Sequence, residues 1–335
     1  MIVVIDDSVF ARPDDPLGLL AVLQMGEEAR HRIQTDPVFD PGNRGAVHAW
    51  LERQDPDIRA QVEFALTRGA RADSAGALDV EIRIESIEVP NWHADPPRLP
   101  LATALEFLRR PLVIKVENQR NDGAFLKRVG LNRWREALAH SLQRGWLRID
   151  HGGGMDEMRV NIESLGASDN DIAECLRSWL LFDSDCREPG VSSQQSESLR
   201  QLCMASGIAH HQLERRAIEN YLPLPVLFRS ADRLAGPART RRRQATEALQ
   251  GMPPEQRHCY NMKGGFAQDR GRDGHRPLPS HFGLHAANRH LQDGFGRDIS
   301  ILFGDETIPF EDHWLVNDGQ AGETSAIIQA ILQRL

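Results

Sequence analysis

Ser178-Trp-Leu-Leu-Phe-Asp183-Ser-Asp185 and Pro111-Leu-Val-Ile-Lys-Val-Glu117 decide the fold of this chain. Each is a short run of apolar, β-branched or aromatic residues, the pattern of a buried strand in a parallel sheet. Each ends on acid. In open α/β sheets ligands collect at the carboxyl ends of the strands, so Glu117, Asp183 and Asp185 are expected along one edge. Three carboxylates gathered there repel one another unless a cation sits between them. An all-oxygen donor set points to Mg²⁺ or a similar hard ion such as Mn²⁺, not to zinc. The competing reading is plain: acids just past strand ends also cap helices and form turns, and Asp-x-Asp alone is a weak motif.

The flanking sequence favours the site. After Glu117 come Asn118-Gln-Arg-Asn-Asp122-Gly123 and a helical Ala124–Val129. Gly145-Trp-Leu-Arg-Ile-Asp150 is a second strand, running into His151-Gly-Gly-Gly154. After the acidic pair, Cys186-Arg-Glu-Pro189-Gly190 breaks the chain, and a helix follows over Glu197–Ala205. Strand and helix alternate three times, which predicts an α/β doubly wound sheet with both acidic marks on its functional edge.

Composition sets the frame. With 335 residues, two domains or one elaborated domain are expected. Forty per cent hydrophobic and 26% charged residues describe an ordinary globular chain, and its apolar runs are too short to cross a membrane. Met1-Ile-Val-Val-Ile-Asp6-Asp7 lacks the basic start and long apolar core of a signal peptide, so it is expected to be a first strand. Cys175, Cys186, Cys203 and Cys259 show no zinc spacing, and reduced cytoplasmic thiols are the expectation. The net charge of −8 argues against nucleic-acid binding over the whole surface but leaves room for local basic patches. Arg239-Thr-Arg241-Arg242-Arg243 is the densest, with Arg215 and Arg216 upstream; a solvated helix face is its simplest account.

Residues 1–105 read as an additional N-terminal α/β region. It holds helices near Leu17–Arg32 and Ala46–Arg68, an alternating strand over Asp79–Val89, and a proline-rich connection from Pro90 to Pro100. Asp6 and Asp7 raise the prospect of a second acidic site, as in a PIN-like nuclease, against capping. Residues 106–335 hold the candidate catalytic domain and a C-terminal extension. The extension contains a helix over Val226–Leu249, a glycine-rich Asn261-Met-Lys263-Gly-Gly265, a strand at Asp298–Phe303 and a last helix at Thr324–Leu335. His281, His285 and His290 could share a helix face, but they lack a zincin glutamate and read as surface residues.

A glutamate after one strand and Asp-x-Asp after a later one resemble the TOPRIM domain of topoisomerases, primases and several nucleases. His210-His-Gln-Leu-Glu-Arg-Arg-Ala-Ile-Glu219-Asn-Tyr-Leu222 is similar to the "ENYL" strand–helix stretch of OLD-family (overcoming lysogenization defect) nucleases and of stand-alone TOPRIM effectors of phage defence. The Gly152–Gly154 turn is similar to theirs as well. The resemblance spans about 108–225 and extends to Lys263. It implies a TOPRIM-like, mostly parallel sheet flanked by helices. It places Glu117 as the first acid, Asp122 as the second at an offset of five residues, Asp183 and Asp185 as the Asp-x-Asp pair, Glu219 as the ENYL glutamate, and Lys263 as the downstream lysine. Five carboxylates suit a pair of Mg²⁺ or Mn²⁺ ions, and Lys263 would neutralise charge on the reacting phosphate. Each has a plainer reading: Glu219 as the partner of Arg215, Lys263 as a solvent-facing lysine, and Ser184 as a turn cap in place of a phosphate contact.

Absences narrow the class. Only Tyr221 and Tyr260 are available as topoisomerase nucleophiles, and Tyr221 lies in an apolar stretch. There is no zinc module and no G-x-x-x-x-G-K-[ST] loop. A metal-dependent endonuclease acting on DNA or RNA remains, by analogy an antiviral effector controlled by a separate partner such as an ATPase, with a homo-oligomer as a further expectation. A non-catalytic adaptor or sensor subunit with a TOPRIM shell is the alternative, and a two-nuclease protein using Asp6 or Asp7 is a third reading.

Overall fold

A computed structural model of the chain describes residues 1–42, 45–71 and 80–335. It is an α/β protein with two four-stranded, wholly parallel sheets flanked by helices. The first sheet contains β1 (Ile2–Asp6), β2 (Arg32–Asp36), β3 (Glu81–Ile84) and β4 (Arg98–Leu99), in the order β2-β1-β3-β4. The second contains β5 (Leu112–Val116), β6 (Leu147–His151), β7 (Ser178–Phe182) and β8 (Ala209–Gln212), in the order β6-β5-β7-β8.

That order has a consequence for function. From β5 the chain winds outward to β6 on one side, then returns to place β7 on the other. The helices leaving β5 and β7 therefore diverge, which opens a crevice at the carboxyl ends of these two strands. All five residues of β7 are buried, as expected of an inner strand covered on both faces. Trp179 and Leu181 enter the larger core with Leu112, Ile114 and Val116, whereas Leu180 and Phe182 enter a smaller one with Met158, Leu199 and Cys203.

Several expectations are corrected. The helix expected to run to Arg32 stops at Glu27; Ala29 takes a positive φ of 63°, and Arg32 opens β2, where Ile33 and Thr35 alternate inward. The helix expected over Ala46–Arg68 is two, Ala46–Leu51 and Pro56–Arg71. The strand expected over 79–89 covers only 81–84, and Asp79 lies outside the described residues. The single helix expected over 226–249 is also two, Leu224–Asp232 and Gly236–Gln250, parted where Gly236 takes φ +54°. Asp298–Phe303 is no strand. Ile299–Gly304 is a 3₁₀ helix, with Ile299 and Phe303 buried four residues apart instead of in alternation, and Phe303 packs edge-on against Phe125 at 5.3 Å.

Residue 105, the expected end of the N-terminal region, lies inside the helix Leu101–Arg109. Leu101, Ala104, Leu105, Phe107 and Leu108 of that helix belong to the core of the first sheet.

Candidate metal centre

Glu117 follows β5 and Asp183 follows β7, and Val116 lies in register with Leu181. Adjacent parallel strands are about 4.8 Å apart, so the two acids end side by side at the switch crevice. The Asp183 amide donates to Glu117 Oε1 at 3.2 Å.

Asp122 is brought in by the first turn of the helix Gln119–Arg128. Asn118 caps that helix by accepting from the Arg120 and Asn121 amides, and Asp122 Oδ2 accepts from the Asn118 amide at 2.7 Å. Five residues from Glu117, Asp122 thus turns back beneath it. Glu219 arrives from a 3₁₀ turn, Ile218–Tyr221, that follows β8 in the stretch expected to run from strand to helix. The Ile218 amide donates to Asp183 Oδ1 at 3.2 Å, fastening this turn to β7.

Asp185 has a φ of 50°, a left-handed conformation that Asp tolerates better than most residues. Its amide donates to the Arg216 carbonyl at 2.8 Å. The intervening Ser184 is buried and donates to the Arg215 carbonyl at 2.8 Å, a turn-holding role. Lys263 is positioned by a clamped loop: Asn261 Oδ1 accepts from the Gly264 amide, and the Met262 carbonyl accepts from the Phe295 amide. Gly265, at φ +60°, passes so close to residues 291–294 that a Cβ there would lie 2.3 Å from the Gln292 carbonyl. The buried Cys186 and Cys259 thiols, 3.3 Å apart, join the Asp185 loop to the segment leading to Lys263.

The electrostatics follow from crowding. Burial pushes the Glu117 carboxyl up to about 7, with Asp122 and Asp185 adding repulsion against the steadying Asp183 amide. Burial likewise takes Asp122 up to about 6, despite its hydrogen bond from the Asn118 amide. Asp183 is held well above the usual range by burial, then by the charges of Glu117, Glu219 and Asp122. Asp185 stands at the mouth, open to solvent on one side; burial on the other raises it while Arg216 and Lys263 oppose the rise. For Lys263, burial disfavours the ammonium, but the charges of Glu219 and Asp183 outweigh it and raise its pKa.

Two like charges about 4 Å apart cost roughly 4 kcal/mol at an effective dielectric constant near 20. Such a cluster needs protons or cations. Lys263 is the cation that acts on all five acids, and it pairs directly with Glu219 Oε1 at 3.0 Å.

Glu219 provides the test of fit to a metal. Its other oxygen, Oε2, is buried and has no hydrogen-bond partner. A buried carboxylate oxygen left so is costly, and a hard divalent cation is a ligand it would accept. The residues fit such an ion. Among the described residues, however, no three acid, histidine or cysteine side chains already stand as a closed ion shell. Glu117, Asp122 and Asp183 each give an oxygen to a backbone amide, and Lys263 takes one of Glu219.

The other candidates fall elsewhere. The first sheet has the same switch topology, but its acids are matched. Asp6 caps the helix Asp7–Ala11 through the Ser8 amide, Asp7 accepts from the Ala46 and Val47 amides, and Asp36 pairs with Arg83. His281 and His285 lie in a 3₁₀ segment kinked at Gly283, and His290 lies in the next one, so the three do not share a helix face. Tyr221 and Tyr260 are fully buried. Arg215 pairs with Asp318 at 2.6 Å, not with Glu219, and Arg216 pairs with Asp269 at 2.7 Å. Arg216 and Asp269 are supports that the sequence offered no signal for, since 53 residues separate them. No family model, curated protein or solved structure matches the chain.

Proposed function

We propose that this protein is a divalent-metal-dependent endonuclease that hydrolyses phosphodiester bonds in DNA or RNA, with a TOPRIM-like second sheet as its catalytic part. The observation that supports it most is the meeting of Glu117, Asp122, Asp183, Asp185 and Glu219 at the β5/β7 crevice with Lys263 as their shared counter-charge. In this reading the five carboxylates hold Mg²⁺ or Mn²⁺. When bound, a pair of such ions supplies charge stabilisation and acidifies a water.

The chain's own groups do the rest. Asp183 and Glu219 set the floor of the site, and Asp185 stands at its mouth toward the phosphate. Glu117, with a carboxyl near 7 before any ion enters, can hold a proton at neutral pH and release it on ion binding. Lys263, whose side chain is 44% exposed, reaches from Glu219 toward solvent and would offset charge gathering on the phosphate oxygens. By analogy with stand-alone effectors of the resembled class, the activity would serve antiviral defence under a separate partner such as an ATPase.

The Lys263–Glu219 pair also favours a second reading, in which an ammonium fills the place of a metal and the chain is a non-catalytic adaptor or sensor. Mg²⁺- or Mn²⁺-dependent nicking of plasmid or cleavage of transfer RNA separates the two. Cleavage by the native chain and none by an Asp183→Ala/Asp185→Ala chain is the expected result; no cleavage by either, in any metal, would leave the adaptor.

A further inference from the structure

A cleft of about 630 Å³ opens directly from Asp185. One wall is the stretch from Asp185 to Gln194, including Arg187, Ser192 and Ser193; the other is the loop holding Arg276 and Ser280. The distribution of cations gives this cleft its meaning. The dense basic run at 239–243 is largely engaged: Arg239 and Arg243 both reach Asp232, at 2.9 and 3.2 Å, and Arg242 donates to the Phe295 carbonyl. Arg215 and Arg216 are committed to Asp318 and Asp269. Arg187 and Arg276 differ, because neither forms an ion pair among the described residues. Arg187 donates only to the Asp269 and Pro277 carbonyls, and its Nε is buried without a partner.

The two guanidiniums line opposite walls of the one cleft. Asp269, whose carbonyl accepts from Arg187, has its carboxylate held by Arg216, so it does not neutralise them. Unpaired cations facing one another beside an acidic centre are poorly placed for the free protein and well placed for a bound polyanion.

We infer that this cleft is the track for the nucleic-acid strand on one side of the cut, with Arg187 and Arg276 gripping sugar–phosphate groups that lead up to Asp185. The inference rests on the endonuclease reading. It assigns backbone binding, not base recognition, because Arg187 and Arg276 with the hydroxyls of Ser192, Ser193 and Ser280 offer donors suited to phosphate oxygens, while the lining acids Asp185 and Glu188 lie toward the metal centre's wall of the cleft.

The test is fluorescence anisotropy of labelled single-stranded and duplex oligonucleotides with the full chain in Ca²⁺, across a salt series. Arg276→Gln, at an exposed position, and Arg187→Gln are each expected to weaken binding and to reduce the salt slope by about 1. Arg239→Gln/Arg243→Gln should leave both unchanged. Native-like affinity and slope in both single variants, while the native chain binds, would overturn the track and leave the endonuclease reading standing. Displacement of the oligonucleotide by polyglutamate at matched charge would assign the cleft to an acidic polypeptide and overturn it too. A native chain that binds no nucleic acid at low salt would sink both proposals together.

Discussion

The Asp183 amide donates to Glu117 Oε1 at 3.2 Å, so the ends of β7 and β5 are tied by the side chain of one acid and the backbone of another. This contact spans 66 residues of sequence. It puts two carboxylates next to each other where the sheet offers no hydrophobic reason to do so, and the cost shows in their protonation.

That cost predicts a pH dependence. Glu117 rises from 4.5 to about 7 and Asp122 from 3.8 to about 6 on folding, so the folded chain binds these protons more tightly than the unfolded one. Their contribution to stability is present at low pH and is lost as pH rises from about 4 to about 7. The loss is on the order of 6 kcal/mol over that range, about half of it above pH 5.5. Melting in EDTA should show Tm falling by several degrees between pH 5.5 and 8, and Glu117→Gln should flatten the fall. Equal pH curves for both chains would contradict the crowding.

Divalent ions should reverse the same effect. Millimolar Mg²⁺ or Mn²⁺ is expected to raise Tm more at pH 8 than at pH 5.5, since ion and protons compete for the same oxygens. The increment should vanish in Asp183→Asn. An increment that survives in that variant would locate the ion elsewhere.

Removing the lysine exposes the debt at Glu219. Lys263→Met leaves a buried carboxylate without its ion pair, expected to cost about 1–3 kcal/mol after allowance for the partial exposure of Lys263. Adding Glu219→Gln should recover part of that loss. Chemical denaturation of the two single variants and the double reads the coupling, and additive losses would mean the pair is incidental.

Two glycines separate backbone strain from collision. Gly265→Ala must accept both φ +60° and a Cβ 2.3 Å from the Gln292 carbonyl, whereas Gly271→Ala, at φ +77°, meets no atom within 4 Å. The first should lose more than about 2 kcal/mol and the second about 1. The loop carrying Lys263 should therefore loosen only in the first, visible as faster proteolysis. Similar melting temperatures for the two variants would refute this.

Asp7 tests the first sheet. Asp7→Ala removes the acceptor for the Ala46 and Val47 amides and should cost about 1 kcal/mol. Any cleavage activity should persist unchanged. Activity lost with Asp7 but kept in Asp183→Ala/Asp185→Ala would move the chemistry to β1.

The sequence by itself was enough for β5, β6 and β7 and for the acids that end two of them, because a run of buried apolar residues closed by a charge is a local signal. It also supplied Glu219 and Lys263, though only through resemblance. It missed β2, whose Arg-Ile-Gln-Thr-Asp is mostly polar, and misread Ile299–Gly304, where Phe303 is buried by packing against Phe125 of the helix Gln119–Arg128 and not by strand pairing. Only the tertiary structure decided that the acids of the first sheet are matched by caps and Arg83 while those of the second crowd around one lysine. It alone also chose which arginines are held by Asp318 and Asp269 and which, among the described residues, form no ion pair beside Asp185. These are pairings between residues tens to hundreds of positions apart, set by strand order and by how the loops clamp, and no local pattern encodes them.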